Sequence, residues 1–297
     1  MKNILVLGYS GFLGQNFVNL ICKNKKKYFL NYHKNKKKFQ NFKYCNINLN
    51  SKNNIINFIK KNNIDIILNF SGFTNVSLCE IKKKEAKKVN FFFIKNIVDV
   101  IKNTKIKFIH ISTDHFSYNN KLNSENDVAK PVNFYGKTKL MADNYIKKSL
   151  ENFVILRTNF FGLEFAKKNY FLINVIKSLL KKKNIIGWNN IFFNPVHVKV
   201  LVEVVNSFMK KAEVNGVFNV SCNKKLTKYA FFKSVADILM LDNKLILKRD
   251  YNLDIKRPKY MTLSNKKLIK IFPTFKKKLS YNYQINTLKG EYKKLNV

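Results

Sequence analysis

A chain of 297 residues with 46% hydrophobic side chains has the apolar material for one large domain, or for a nucleotide domain plus a smaller lobe, which excludes global disorder. No apolar run approaches the roughly 20 residues of a membrane-spanning helix, and the first strand-like run starts at once, without the layout of a secretory signal. The formal net charge of +40 would suit a nucleic-acid binder, but only Arg157, Arg249 and Arg257 among the 57 basic residues are arginine; the reading is a bias towards A/T-rich codons (Lys, Asn, Ile, Phe, Tyr), with lysines on solvated faces and no nucleic-acid partner.

In chain order, residues 3–7 read as a strand, 12–22 as a helix and 28–32 as a second strand. Residues 53–61 are helical and 65–69 form a strand. A long helix is expected over 84–102, a strand over 106–112, a helix over 135–150 and a strand over 153–157. This alternation predicts an α/β fold, a Rossmann-like doubly wound parallel sheet with helices on both faces and right-handed crossovers. After Arg157 the rhythm changes. Residues 171–183 and 198–210 read as helices, 217–220 as a short strand, and 227–240 as an amphipathic helix opened by Thr227 as N-cap. The final 50 residues read as short, polar and irregular. With no repeat and no linker, a smaller α+β lobe is expected to be interleaved with the main domain: 1–157 and 189–220 in the main domain, 158–188 and 221–297 in the lobe.

Three motifs carry chemistry. Gly8-Tyr9-Ser10-Gly11-Phe12-Leu13-Gly14 follows the first strand and opens the first helix. Glycine there permits a tight turn, close approach of backbone to a pyrophosphate and close helix–strand packing, and the helix N-terminus favours the phosphates. These residues predict a dinucleotide cofactor. The second strand ends in Asn31-Tyr32-His33-Lys34. No carboxylate is available there for a ribose 2′-OH, whereas His33, Lys34 and Lys36 could face a 2′-phosphate, so NADP is preferred and NAD stays open. The second motif is Tyr135-Gly136-Lys137-Thr138-Lys139, in which Tyr135 and Lys139 share a helix face. A free phenol has a pKa of about 10, and a nearby cation brings it into working range as an acid–base group. The third is Ile111-Ser112-Thr113-Asp114, at the carboxyl end of a strand, where open α/β sheets bind ligands; Thr113 is placed to bond a substrate carbonyl. Cys22, Cys45, Cys79 and Cys222 are scattered, which fits a reduced, cytoplasmic chain without a disulfide framework or zinc site, and no His/Asp/Glu cluster suggests another metal.

With these motifs in order, the chain resembles the dTDP-4-dehydrorhamnose reductase family of extended short-chain dehydrogenases. The G-x-x-G-x-x-G spacing is typical of the extended type. The resemblance also runs through residues 67–76, Val89-Asn90, Ser112-Thr113-Asp114, residues 131–139, residues 157–162, Asn194-Pro195-Val196, residues 226–231, Arg257-Pro258 and Leu263-Ser264-Asn265. It implies an NAD(P)-dependent oxidoreductase that reduces the 4-keto group of a nucleotide-linked 4-keto-6-deoxysugar, in the biosynthesis of surface-polysaccharide sugars. Thr113, Tyr135 and Lys139 would be the catalytic set. Gly8, Ser10, Gly11, Phe12, Leu13, Gly14, His33 and Lys34 would meet the cofactor, with Asn46 and Ile47 near its adenine, Phe70, Ser71 and Phe73 near the nicotinamide, and Tyr135 and Lys139 beside it. Thr113, Asp114, Phe160 and Arg257 would face the substrate, and Asn90 would have a structural hydrogen-bonding role. A homodimer is the assembly the class suggests.

The departures concern the sugar. Phe70-Ser71 and Phe73 stand where the family usually has Ala-Ala and Tyr, Phe160 where Trp is common, and His115 where Tyr is usual. A sugar-nucleotide epimerase or epimerase-reductase stays an alternative; a dehydratase is disfavoured because Asp114-His115 is not the Asp-Glu pair that reaction needs. Outside enzymes, the alternative is an NADP-binding regulatory subunit without turnover.

Overall fold

The computed structural model describes residues 2–21, 27–32, 39–40, 42–165 and 170–294. An apolar strand, β1 (Asn3–Leu7), leads into α1 (Phe12–Ile21), then β2 (Tyr28–Asn31), β3 (Lys43–Cys45), α2 (Lys52–Lys61) and β4 (Ile64–Asn69). Next come α3 (Val76–Ile81), α4 (Lys83–Lys87), a π-helical turn over Lys88–Phe92, α5 (Phe93–Ile101), β5 (Lys107–Ile111), α6 (Phe134–Ser149) and β6 (Phe153–Thr158). The remainder runs β7 (Phe160–Phe161), α7 (Phe171–Leu180), β8 (Ile185–Trp188), β9 (Phe192–Phe193), β10 (Val196–His197), α8 (Val198–Lys210), β11 (Gly216–Val220), β12 (Leu226–Thr227), α9 (Lys228–Ile238), β13 (Ile246–Arg249), β14 (Tyr260–Met261), α10 (Lys266–Ile271), α11 (Phe275–Lys278) and α12 (Tyr281–Lys294).

Seven strands form one sheet in the order β11-β6-β5-β4-β1-β2-β3, and the pairings from β6 through to β3 are all parallel. The chain order reverses between β1 and β4, the switch point of a doubly wound sheet, where the carboxyl ends of the strands open a ligand crevice. Leu7 of β1 is in register with both Asn31 and Asn69, and Asn69 with His110, so the ends of β1, β2, β4 and β5 are level.

The chain packs as two compact units. The first comprises residues 1–113, 133–156 and 202–217, with a core that includes Leu5, Leu7, Ile67, Ile97, Phe108 and Ile155. The second comprises 114–132, 157–201 and 218–297, with short strand pairs and helices around Phe161, Leu172, Phe193, Phe231, Val235 and Leu288. These bounds depart from the expected division at 114–132, 157, 189–201 and 218–220, which pack in the second unit. Local bonding explains it. β9 pairs with β12 and β14, Asn194 Nδ2 donates to the carbonyls of Cys222 and Leu263, and Asn123 Nδ2 donates to Thr262 O.

One further expectation is sharpened and one corrected. The long helix expected over 84–102 is continuous from Lys83 to Ile101 and contains a π turn over Lys88–Phe92, where Asn90 bonds the backbone of Phe73. The last 50 residues are not irregular: α12 alone has 14 residues. Its buried face is Tyr281, Gln284, Ile285, Leu288 and Glu291, a helical stripe interrupted by two polar residues, which hides the periodicity from a hydropathy reading. Helix caps follow local chemistry. Ser51, Asn133 and Thr227 each accept a backbone N–H in the first turn of α2, α6 and α9. Among the described residues no helix is long and apolar enough to cross a membrane.

Candidate active site

The Gly8–Gly14 turn is built by close backbone contacts. Gly8 has φ +76°, and a Cβ there would lie 2.6 Å from Ser71 N. A Cβ on Gly14 would lie 2.4 Å from Gly8 O and 2.5 Å from Tyr9 Cα. The turns after β1 and β4 are therefore packed backbone to backbone, which only glycine allows. Gly11 differs: its Cβ would meet only Gly8 O, at 3.2 Å, within 4 Å, so that side of the turn is open. Gly11 N donates to Gly8 O, Gln15 N donates to Gly11 O, and α1 starts at Phe12, so a helix N-terminus opens on the turn. Tyr9 points away and is buried between Phe39 and Tyr44. A glycine turn with an open face and a helix N-terminus fits a dinucleotide's pyrophosphate, and Gly8, Ser10, Gly11, Phe12, Leu13 and Gly14 are the residues that would hold it.

Beside it, the Asn31 side chain accepts the N–H of Ile47 at 2.8 Å, which pins the chain after β3; Ile47 is buried and Asn46 exposed. Phe70 stacks edge-on against Phe17, and Phe70 N donates to Leu7 O. His33 and Lys34, expected to choose between NADP and NAD, lie outside the described residues.

Tyr135 and Lys139, the expected acid–base pair, lie on α6. Phe134 N donates to Glu80 Oε1 at 2.6 Å and Gly136 N to the Asn133 cap at 2.9 Å, which fixes the first turn and Tyr135 within it. One turn on, Lys139 is buried, and its Nζ donates to Ile111 O at 2.7 Å. That carbonyl is two residues before Thr113, so α6 is tied to the end of β5. Asn90 makes a second tie: its Oδ1 accepts Phe73 N at 2.7 Å, and its Nδ2 donates to Phe73 O and to Thr138 Oγ1, each at 3.1 Å. Burial lowers the Lys139 pKa to about 8, opposed by the carboxylate of Asp143.

A chain of side chains missed in the sequence lies beneath Lys139. Its Nζ is 3.2 Å from His110 Nε2, and His110 Nδ1 is 2.9 Å from Asn69 Nδ2. Asn69 Oδ1 accepts Ser71 N at 3.1 Å and Ser71 Oγ at 2.5 Å. The signal for His110 was a lone histidine inside the apolar run Phe108-Ile109-His110-Ile111.

The second unit gathers a different set. Asp114 is buried, and its Oδ1 accepts Asn159 Nδ2 at 3.4 Å, while Oδ2 has no hydrogen-bond partner among the described residues. Burial pushes its carboxyl well up, against the pull of Lys228. Lys228 Nζ sits 3.5 Å from the Phe193 ring centroid, and burial holds it below the usual lysine range. Arg257 Nε donates to Tyr251 OH at 3.3 Å. Burial, then Arg257 and Lys228, push His115 down to about 3, so it is neutral. Phe160 adjoins Asn159, and its carbonyl accepts Tyr170 OH at 2.7 Å. Asp114 and Arg257 thus fall in one cluster, together with Lys228, which the lysine-rich composition concealed. His197 is buried against Glu291, 3.1 Å from its Oε2. Among the described residues no three His, Cys, Asp or Glu side chains gather to hold a metal.

The RmlD substrate binding domain, as a family, matches residues 1–288. The chain belongs to that family. Its fold is shared with a dTDP-4-dehydrorhamnose reductase from Clostridium acetobutylicum, at a TM-score of 0.82 and 21% identity over 100% of both chains. The same enzyme from Bacillus anthracis, solved in complex with NADP, gives 0.77 and 18%, over 91% of this chain and 93% of that one. In sequence, methionine adenosyltransferase 2 subunit beta of Rattus norvegicus is 29% identical over 142 residues, which is 45% of this chain and only 42% of that protein. The RmlD family is thus established over nearly the whole chain, while the curated relative is matched over less than half of its own length.

Proposed function

We propose that this RmlD-family chain is an NAD(P)H-dependent oxidoreductase that reduces the 4-keto group of a nucleotide-linked 4-keto-6-deoxysugar. The observation that carries the reading is Lys139, one turn after Tyr135 and bonded to Ile111 O at the end of the strand that delivers Thr113. The glycine turn at the adjacent strand end supports cofactor binding, and the reductase folds of the structural neighbours support the reaction class. A nicotinamide cofactor held at the glycine turn would supply the hydride. Tyr135 gives its proton to the sugar's carbonyl oxygen, a protonated Lys139 favours the phenolate left behind, and Thr113 orients the same oxygen. In the second unit, the cations Lys228 and Arg257 support an anionic nucleotide substrate, and the neutral His115 stands in the sugar-selecting stretch. NADP is the preferred cofactor, polysaccharide sugars the destination and the cytoplasm the site of action.

Oxidation of NADPH and NADH, followed by absorbance with a panel of nucleotide 4-keto-6-deoxysugars, tests the reading. Turnover with one sugar is expected, and Tyr135→Phe is expected to lower it about 10²–10⁴-fold. Unchanged turnover in Tyr135→Phe overturns the mechanism. The likeness to a methionine adenosyltransferase subunit favours one second reading, a cofactor-binding regulatory subunit; tight NADPH binding without turnover, and co-purification with a stoichiometric partner enzyme, would replace the first reading with it.

A further inference from the structure

The hydrogen bonds beneath Lys139 leave only one consistent set of protons. Ser71 N can only donate, so the Asn69 atom it meets is the carbonyl oxygen, and the Asn69 amide nitrogen must face His110. His110 Nδ1 therefore accepts. Burial, followed by the charge of Lys139, pushes the pKa of His110 well down, so the ring is neutral and carries its one proton on Nε2. That N–H points at Lys139 Nζ, 3.2 Å away. An ammonium is three donors with no acceptor, so a charged Lys139 opposes the His110 N–H, whereas a neutral amine accepts it through its lone pair and still donates to Ile111 O.

We propose that His110, locked by Asn69 in the Nε2–H tautomer, is a positioning residue that sets the protonation of Lys139 and so makes the cation beside Tyr135 switchable rather than permanent. Among the described residues, four charged or titratable groups are set near Lys139 or its helix turn. Asp143, one turn further along α6, favours the ammonium. Tyr135 lies one turn before it, Glu80 of α3 is spent on Phe134 N, and His110 of β5 opposes the charge. Burial alone lowers the Lys139 pKa to about 8, and an N–H of His110 aimed at Nζ would act in the same direction. The inference deepens the reductase reading and rests on its Tyr135/Lys139 pair, but it can be read without turnover.

The chain has four histidines, so nitrogen NMR of protein labelled with ¹⁵N in the histidine rings resolves them, with His110 assigned by His110→Gln. The expected result is a neutral Nε2–H ring from pH 7 to 9.5, whose shifts move with a midpoint near pH 8. That movement should vanish in Lys139→Met. Asn69→Asp preserves shape and still accepts Ser71 N, but its carboxylate draws the ring proton to Nδ1. Nε2 then accepts from the ammonium, and the midpoint should rise by about one pH unit or more. An Nδ1–H ring or an imidazolium in the unsubstituted protein overturns the proposal, as does a titration that survives Lys139→Met. If Asn69→Asp does not fold, the first two spectra still decide. Titration without turnover would keep this inference and remove the reductase reading, and turnover without titration would do the reverse.

Discussion

Two buried polar clusters, one in each unit, differ in how their hydrogen bonds are completed. In the first, Ser71, Asn69, His110, Lys139 and the carbonyl of Ile111 answer one another atom for atom, and Asn90 clamps the flanking turn to α6. In the second, Asp114 keeps an oxygen with no hydrogen-bond partner among the described residues, with Lys228, Arg257 and a neutral His115 around it. A matched network fixes one geometry and suits machinery that repeats the same chemistry. A buried carboxylate beside cations keeps bonding capacity that a ligand could use. The difference separates the proposed catalytic and cofactor-holding parts from those that would choose the sugar nucleotide.

The largest break in this contrast comes from a second network of the second unit, centred on Glu291. Glu291 Oε2 meets His197 Nε2 at 3.1 Å and Leu163 N at 2.7 Å, while Oε1 lies 3.5 Å from Lys199 Nζ. Glu291→Ala leaves buried donors unanswered and is expected to cost about 3–5 kcal/mol in urea unfolding. Burial raises the Glu291 carboxyl, but bonds from His197 and Leu163 outweigh it, so the pKa is lowered. A lowered carboxylate pKa adds stability above its unfolded value of about 4.3, and this is lost as pH falls through the folded value. Glu291→Gln should therefore flatten the acid limb of a stability-against-pH curve, and an unchanged limb would remove Glu291 from the account.

Smaller is the effect of Gly14→Ala, whose Cβ would fall 2.4 Å from Gly8 O. It is expected to cost about 1–3 kcal/mol and to weaken NADPH binding, measured by unfolding and by nucleotide fluorescence. Gly290→Ala is its control, since nothing lies within 4 Å of that Cβ; it should stabilise α12 slightly.

The smallest expected effect tests the open cluster itself. The Asp114 carboxyl is raised by burial, so between its unfolded value of about 3.9 and its folded value the native state binds more protons, and stability falls as pH rises through that window. Asp114→Asn should remove this slope and leave the unfolding midpoint less dependent on pH between 4 and 8. A slope that persists in the variant would place its origin elsewhere.

The same contrast governs what could be read from the sequence. Rossmann strands are buried on both faces, so β1, β4 and β5 appear as apolar runs punctuated by Gly8 and by Ser112-Thr113, and the helical spacing of Tyr135 and Lys139 matches their place on α6. The second unit uses two-residue strands and a terminal helix whose inward face holds Gln284 and Glu291, patterns too short or too polar for periodicity to report. Asn69 and His110 carry no local signature because their meaning lies in a pairing across 41 positions. Lys228 was one lysine among many until its neighbours Asp114 and Phe193 singled it out.

The segmented make-up of both units bears on how the protein can be made. The chain enters each unit three times, and the last piece of the first unit ends only at residue 217. A nascent chain emerging from the ribosome cannot complete the parallel sheet until β11 has been translated, although all the glycine-turn and Tyr-Lys residues were synthesised long before. Contacts of such long sequence separation slow folding and prolong exposure of unpaired strand edges. Expression of residues 1–157 alone would yield a sheet without its β11 edge and a first unit without residues 202–217.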